Sequence, residues 1–137
     1  MAGQPRLRIT VVGVCASGKS ELTRRLQARG IDAHSVAQEH SHVPKLWRHD
    51  AVPDMLVYLN VSHRTVNRRW LIGLSVQELT EQRRRLADAR RAADLRVRTD
   101  RCSPEEVERR VLDLLASRGA VTGRMVPGTG GTAPETG

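Results

Sequence analysis

The sequence predicts an α/β fold: a compact parallel sheet of about four strands, order 2-1-3-4, with helices on both faces. Two runs, "LRITVVGV" from Leu7 and "DMLVYLNVS" from Asp54, are apolar at nearly every position. Strands of a sheet covered on both sides have that pattern. Between them and after them lie segments with helical periodicity and cap residues, so successive strands must be joined by crossovers, which makes the sheet parallel.

The elements follow in order. The strand ending at Gly13 runs into a Gly- and Ser-containing turn. Then "KSELTRRLQARG" sets Leu22 and Leu26 four residues apart and ends at a helix-stopping Gly30, which predicts a first helix. "IDAHSVA" is a weak second strand. "QEHSHVPKLWRHDAVP" has two prolines and no clean periodicity, and reads as a loop with one helical turn. After the strand at 54–62, Ser62 is placed to cap the helix "HRTVNRRWLIG". "SVQELTEQRRRLADARRAAD" opens on Ser75 and Glu78 in capping-box spacing and predicts one long helix. "DLRVRT" alternates Leu95 and Val97 with Arg96 and Arg98, as a strand near a sheet edge does. "SPEEVERRVLDLLASRG" has Ser103 as cap, Pro104 at the first position, Glu106 closing a capping box, a stripe of Val107, Val111, Leu114 and Leu115, and Gly119 as stop. A domain over 1–118 is expected, followed by a disordered Gly/Pro/Thr-rich tail over 119–137.

Composition narrows the function classes. The net charge of +8 is carried almost wholly by arginine, since Lys19 and Lys45 are the only lysines among 137 residues. A basic surface concentrates anions without selecting one. No apolar run is long enough to span a bilayer, and the N-terminus lacks a signal peptide's unbroken apolar segment, so a cytoplasmic protein without membrane contact is expected. Cys15 and Cys102 are far apart and have no metal-ligand spacing, which suggests neither a disulfide framework nor a zinc site. With little aromatic material for base stacking and no recognised motif, nucleic acid is not an expected partner. A homodimer stays open.

"GVCASGKS", residues 13–20, has the spacing of a phosphate-binding loop and lies between a buried strand and a helix, where that mechanism needs it. In this reading Gly13, Val14, Cys15, Ala16, Ser17, Gly18, Lys19 and Ser20 bind the nucleotide. Glycines let backbone N–H groups turn inward around an anion, and the helix start adds its dipole. Lys19 reaches terminal phosphate oxygens, and the Ser20 hydroxyl is the candidate ligand of a phosphate-bound Mg²⁺.

With "RITVVGVCASGKSELTRRLQARG", "PDMLVYLNVS" and "ADLRVRTDRCSPEEVERRVLDLL", the chain resembles the P-loop NTPase superfamily, and within it small nucleoside and nucleotide kinases of the adenylate, thymidylate and shikimate kinase kind. That resemblance implies ATP and Mg²⁺, with transfer of the γ-phosphate to a small acceptor. No Asn-Lys-x-Asp run is present, which argues against a GTPase. Three departures stand out. The middle region is short for such kinases, the strand resembling their "YLD" run ends in Asn60, and no apolar run ends in Asp at the usual Walker B position. The first two support an alternative, a nucleotide-binding regulatory or interaction domain with little or no turnover.

Glu39 follows the second strand and is the candidate general base or Mg²⁺ organiser; an exposed loop carboxylate or an arginine's partner is the competing reading. Neighbouring His40 and His42 lack further ligands in the sequence and read as surface or hydrogen-bonding groups. On an unbroken helix Arg83 and Arg90 share the stripe of Leu79, Leu86 and Ala93. The resemblance implies lid arginines that hold the transferred phosphate, whereas the plainer reading has their stems covering apolar surface and their heads reaching Asp88 or Glu81.

Overall fold

The computed structural model describes residues 7–71 and 73–118. Four parallel strands form one sheet in the order β2-β1-β3-β4, with β1 at Arg8–Gly13, β2 at Asp32–Ser35, β3 at Met55–Asn60 and β4 at Leu95–Arg98. The expected fold class and strand order are both present. Register is fixed across the centre, with Ile9 opposite both Ala33 and Met55, Gly13 opposite Leu59, and Val57 opposite Leu95. The expected disordered tail, 119–137, lies outside the described residues. No helix among those described is long and apolar enough to cross a membrane.

Alternation along the two central strands feeds two cores. Ile9, Val11, Met55, Val57 and Leu59 face α1 (Lys19–Ala28) and α5 (Pro104–Ser117), where Leu22, Leu26, Val107, Val111 and Leu115 meet them. Val12, Leu56 and Tyr58 face the other way, toward α2 (His63–Arg69), α3 (Val76–Arg85) and α4 (Ala87–Ala92), which contribute Val66, Leu79, Leu86 and Ala89. Each aliphatic side chain taken fully out of water contributes roughly 1.5–3 kcal/mol before entropy is counted. An almost wholly aliphatic interior is thus enough to hold the sheet.

The caps form as the sequence predicts. Ser75 and Glu78 close a capping box on α3, Ser103 and Glu106 close another on α5 with Pro104 in its first turn, and the Ser62 hydroxyl accepts from the Thr65 N–H at the start of α2. One expectation fails. The single long helix over 75–94 breaks at Leu86, which has φ −94° and ψ 0° and shares its N–H between the carbonyls of Gln82 and Arg83. The buried side chains are Leu79, Gln82, Leu86, Ala89 and Ala93, alternately three and four residues apart, while Arg83 lies half-buried beside that stripe and Arg90 is exposed.

The segment after β2 is more ordered than its lack of periodicity suggests. It contains two 3-10 turns, Gln38–His40 and Leu46–Arg48. The buried Gln38 amide pins them together: its Nε2 donates to the Val43 carbonyl at 2.9 Å and its Oε1 accepts from the Trp47 N–H at 3.0 Å. Trp47 then enters the second core.

Beyond β4, Asp100 ties the last strand to α2. Its Oδ1 accepts from the Ser62 N–H at 2.9 Å, the Ser62 hydroxyl at 2.7 Å and the Thr65 hydroxyl at 2.5 Å, and Arg98 reaches its Oδ2. Burial alone would raise its pKa, but the donors from Thr65, Ser62 and Arg98 outweigh it and hold the carboxyl well below the usual carboxylate range. A depressed folded-state value makes the contribution to stability complete above the unfolded value of about 3.8 and lost progressively as pH falls below it. Asp100→Ala is therefore expected to lower unfolding free energy at pH 7 by about 1–3 kcal/mol and to flatten the acid limb of the stability curve, both measured by urea titration across pH.

Candidate functional site

The turn between β1 and α1 stands at the carboxyl edge of the sheet, where ligands bind in open parallel sheets. Its backbone conformation is special at two positions. Ala16 has φ 64° and Gly18 has φ 100°, both left-handed, and a non-glycine residue in that region indicates a constrained turn. Alternation of left- and right-handed residues directs successive N–H groups to one side. The Ser17 N–H closes onto the Val14 carbonyl at 3.2 Å, whereas the N–H groups of Ala16, Gly18, Lys19 and Ser20 find no acceptor among the described residues. Helix α1 also differs from its Ser-capped neighbours in starting on Gly18 without any side-chain cap. Open donors and a bare helix start leave a concentrated patch of positive potential.

Gly13 is required here for space. A Cβ at that position would lie 2.5 Å from the Leu59 carbonyl oxygen and 2.6 Å from Ser17 Oγ. β3 therefore presses directly on the base of the turn. Ser17 is buried, its hydroxyl has no hydrogen-bond partner, and its carbonyl accepts from the Thr99 hydroxyl at 2.8 Å. From the other side Arg69 donates to the Ala16 carbonyl at 2.9 Å and to the Thr99 carbonyl at 2.5 Å. The residue after β4 and the end of α2 thus clamp the turn's outward-facing carbonyls. Nothing in the spacing of Arg69 or Thr99 marked them as part of this site.

Lys19 lies across the mouth. Its ammonium donates to the Gly13 carbonyl at 3.0 Å and to Glu39 Oε2 at 2.5 Å. Glu39 is 3% exposed, so it is neither an exposed loop carboxylate nor an arginine's ion-pair partner; its counter-ion is Lys19, and Arg85 touches only its backbone carbonyl, at 3.2 Å. The Gln38 staple explains the position, because it fixes the 3-10 turn carrying Glu39 against the loop. Ser20 is exposed at the second position of α1, and its hydroxyl makes no hydrogen bond among the described residues.

Gln82, and not Arg83, is the α3 side chain that meets the loop. Gln82, which the sequence reading passed over, is buried and grips Cys15: Oε1 accepts from the Cys15 N–H at 2.9 Å and Nε2 donates to Cys15 Sγ at 3.1 Å. Arg83 instead caps the end of β3, donating to Asn60 Oδ1 at 3.3 Å and to the Val61 carbonyl at 2.7 Å. Arg90 is exposed and lines an open cavity of about 570 Å³ with Tyr58, Asn60, Arg91, Arg96 and Arg98. Glu81 and Asp88, offered as partners for Arg83 and Arg90, pair instead with Arg84, Arg85 and Arg91.

His40 is also drawn in. Its Nε2 lies 3.5 Å from Cys15 Sγ and 3.6 Å from Glu39 Oε2. Cys15 and Cys102 are both free thiols. Asp32 and Asp54 stand at the opposite, amino-terminal edge, where Asp54 accepts from the Arg8 N–H.

Gly13→Ala gives a direct check on this packing. The methyl group must displace β3 backbone, so a loss of about 1–3 kcal/mol in unfolding free energy is expected from chemical denaturation. A substitution without measurable cost would show that the turn is not held against Leu59. In comparisons with known proteins, no family profile and no curated protein matches the chain.

Proposed function

We propose that the chain binds a nucleoside triphosphate, ATP in the first instance, at residues 13–20 and transfers its γ-phosphate to a small anionic acceptor. One observation carries this reading: unsatisfied N–H groups at Ala16, Gly18, Lys19 and Ser20 gather at a helix start, with the Lys19 ammonium across the same mouth. Phosphate oxygens are the acceptors that such a donor set suits. The resemblance of residues 8–30, 53–62 and 93–115 to small P-loop kinases supports the choice of ATP, and with it a cytoplasmic setting.

The residues divide the work as follows. Backbone donors hold the α- and β-phosphates. Lys19 exchanges Glu39 for a terminal phosphate oxygen, and that exchange frees the Glu39 carboxylate. The acceptor hydroxyl attacks the γ-phosphorus, the bond from that phosphorus to the β–γ bridging oxygen breaks, ADP leaves, and the hydroxyl proton passes to Glu39. Positioning and charge neutralisation are enough for such a loose transition state. Mg²⁺, when bound with the nucleotide, would neutralise phosphate charge. Ser20 is the side chain that would ligate it, since Asp100 is spent on Ser62 and Thr65 and Glu39 is reserved for the acceptor's proton. The arginine-lined cavity beside Asn60 supports an acceptor bearing phosphate or carboxylate, with Arg90 among the groups that would hold it.

A regulatory domain that binds nucleotide without turnover is the second reading. It is favoured by Asn60 at the end of β3 and by the engagement of Asp100, which together leave no free carboxylate there.

Thermal unfolding with and without Mg·ATP tests the binding step. At a hundredfold excess over Kd, stabilisation of about 2.7 kcal/mol is expected for the wild type and none for Lys19→Ala. A wild type that does not respond to any nucleoside triphosphate overturns the proposal. A panel of phosphorylated and carboxylated acceptors, assayed for ADP formation, then separates kinase from sensor. Glu39→Gln is expected to lower kcat by about 10²–10⁴ and leave nucleotide-dependent stabilisation in place.

A further inference from the structure

The group formed by Cys15, Glu39 and His40 does more than flank the phosphate loop. One ligand-type atom from each lies within 4.8 Å of the other two. A tetrahedral zinc ion with bonds of about 2.3 Å to sulfur and 2.0–2.1 Å to nitrogen and oxygen sets the S···N edge at about 3.6 Å and the N···O edge at about 3.4 Å. The observed edges are 3.5 Å between Cys15 Sγ and His40 Nε2 and 3.6 Å between His40 Nε2 and Glu39 Oε2. Both edges at His40 therefore stand close to the spacing that the ion demands, and the edge from Cys15 to Glu39, within 4.8 Å, would close onto it as the ion binds.

An independent observation concerns the other oxygen of the same carboxylate. Glu39 is almost completely buried, yet its Oε1 has no hydrogen-bond partner. Such an atom is costly to bury, more so when charged, unless something binds there. An outer contact also orients the set: Gln82 Nε2 donates to Cys15 Sγ at 3.1 Å. His40 is exposed, which gives an ion a route in. Opposing it are two cations, Lys19 on Glu39 Oε2 and Arg85 on the Glu39 carbonyl.

We propose that Cys15, Glu39 and His40 form a site for one divalent ion of the zinc class, with a fourth position left for water or a small ligand. Thiolate, imidazole and carboxylate together favour zinc or cobalt over magnesium or calcium. The ion and Lys19 contend for the same carboxylate. Metal uptake therefore releases the ammonium, and removal of the ammonium favours uptake. The proposal stands whether or not the loop binds a nucleotide.

Full-length protein, stripped with chelator under reducing conditions, is titrated with Zn²⁺ alone by calorimetry and with Co²⁺ by absorption spectroscopy. One equivalent should bind, with a thiolate-to-cobalt charge-transfer band in the near ultraviolet. Cys15→Ser should abolish the band, and both it and His40→Ala should weaken Zn²⁺ binding by about tenfold or more. Cys102→Ser should leave both readouts unchanged. Lys19→Ala should tighten Zn²⁺ binding, the opposite of its expected effect on ATP. Absence of a charge-transfer band, a band that survives Cys15→Ser, or wild-type Zn²⁺ affinity in His40→Ala would each overturn the site. Neither outcome bears on nucleotide-dependent stabilisation in metal-free protein, so the two proposals fail separately.

Discussion

Everything at the candidate site follows from the position of β1 between β2 and β3. Its backbone is bonded on both sides, and its inward side chains from Ile9 to Val12 are buried, so the strand has no freedom to slide or tilt. A parallel arrangement brings the carboxyl ends of all the strands to one edge. The turn after β1 must leave the sheet there with β3 directly beneath it, which is why Gly13 meets the Leu59 carbonyl. Lys19, Glu39, Cys15 and Gln82 are consequences of that exit. They are carried to one place by three different segments of chain, the loop at 13–20, the turn at Gln38–His40 and α3.

The Lys19–Glu39 pair illustrates how burial turns packing into function. Taking both charges out of water costs several kcal/mol per ion, and their attraction offsets this only while the geometry holds. Removing either partner leaves the other buried without a counter-charge. An ion pair of this kind is a poor source of stability, because its attraction is set against the desolvation of both charges. The same physics leaves the remainder of the mouth rigid, clamped by Arg69 and Thr99 on the carbonyl side and by Gln82 on the Cys15 N–H.

Local chemistry made most of the fold legible in the sequence. Ser75 with Glu78, and Ser103 with Pro104 and Glu106, act within one turn, so their spacing is enough to place α3 and α5. The continuous apolar runs around Val11 and Val57 likewise identify strands covered on both faces. What stayed hidden was long-range. Periodicity extended one helix through Leu86 because the buried positions keep helical spacing on both sides of the break, so nothing in the pattern marks it. Gln38 and Gln82 looked like ordinary polar residues, yet each holds a segment through both ends of its amide. Lys19 and Glu39 were each singled out, but their contact was not, since no spacing rule links residues twenty apart across a loop. The separation of Cys15 from His40 hid their encounter in the same way.

The outer strand β4 has a further consequence. On the side away from α5 it displays Arg96 and Arg98, and its edge has no neighbour among the described strands. An uncovered edge is an invitation to pair with another chain. A second copy approaching this one would set guanidinium against guanidinium, whereas an acidic strand would meet no such repulsion. Like charges set opposite each other in this way disfavour growth of the sheet by self-addition.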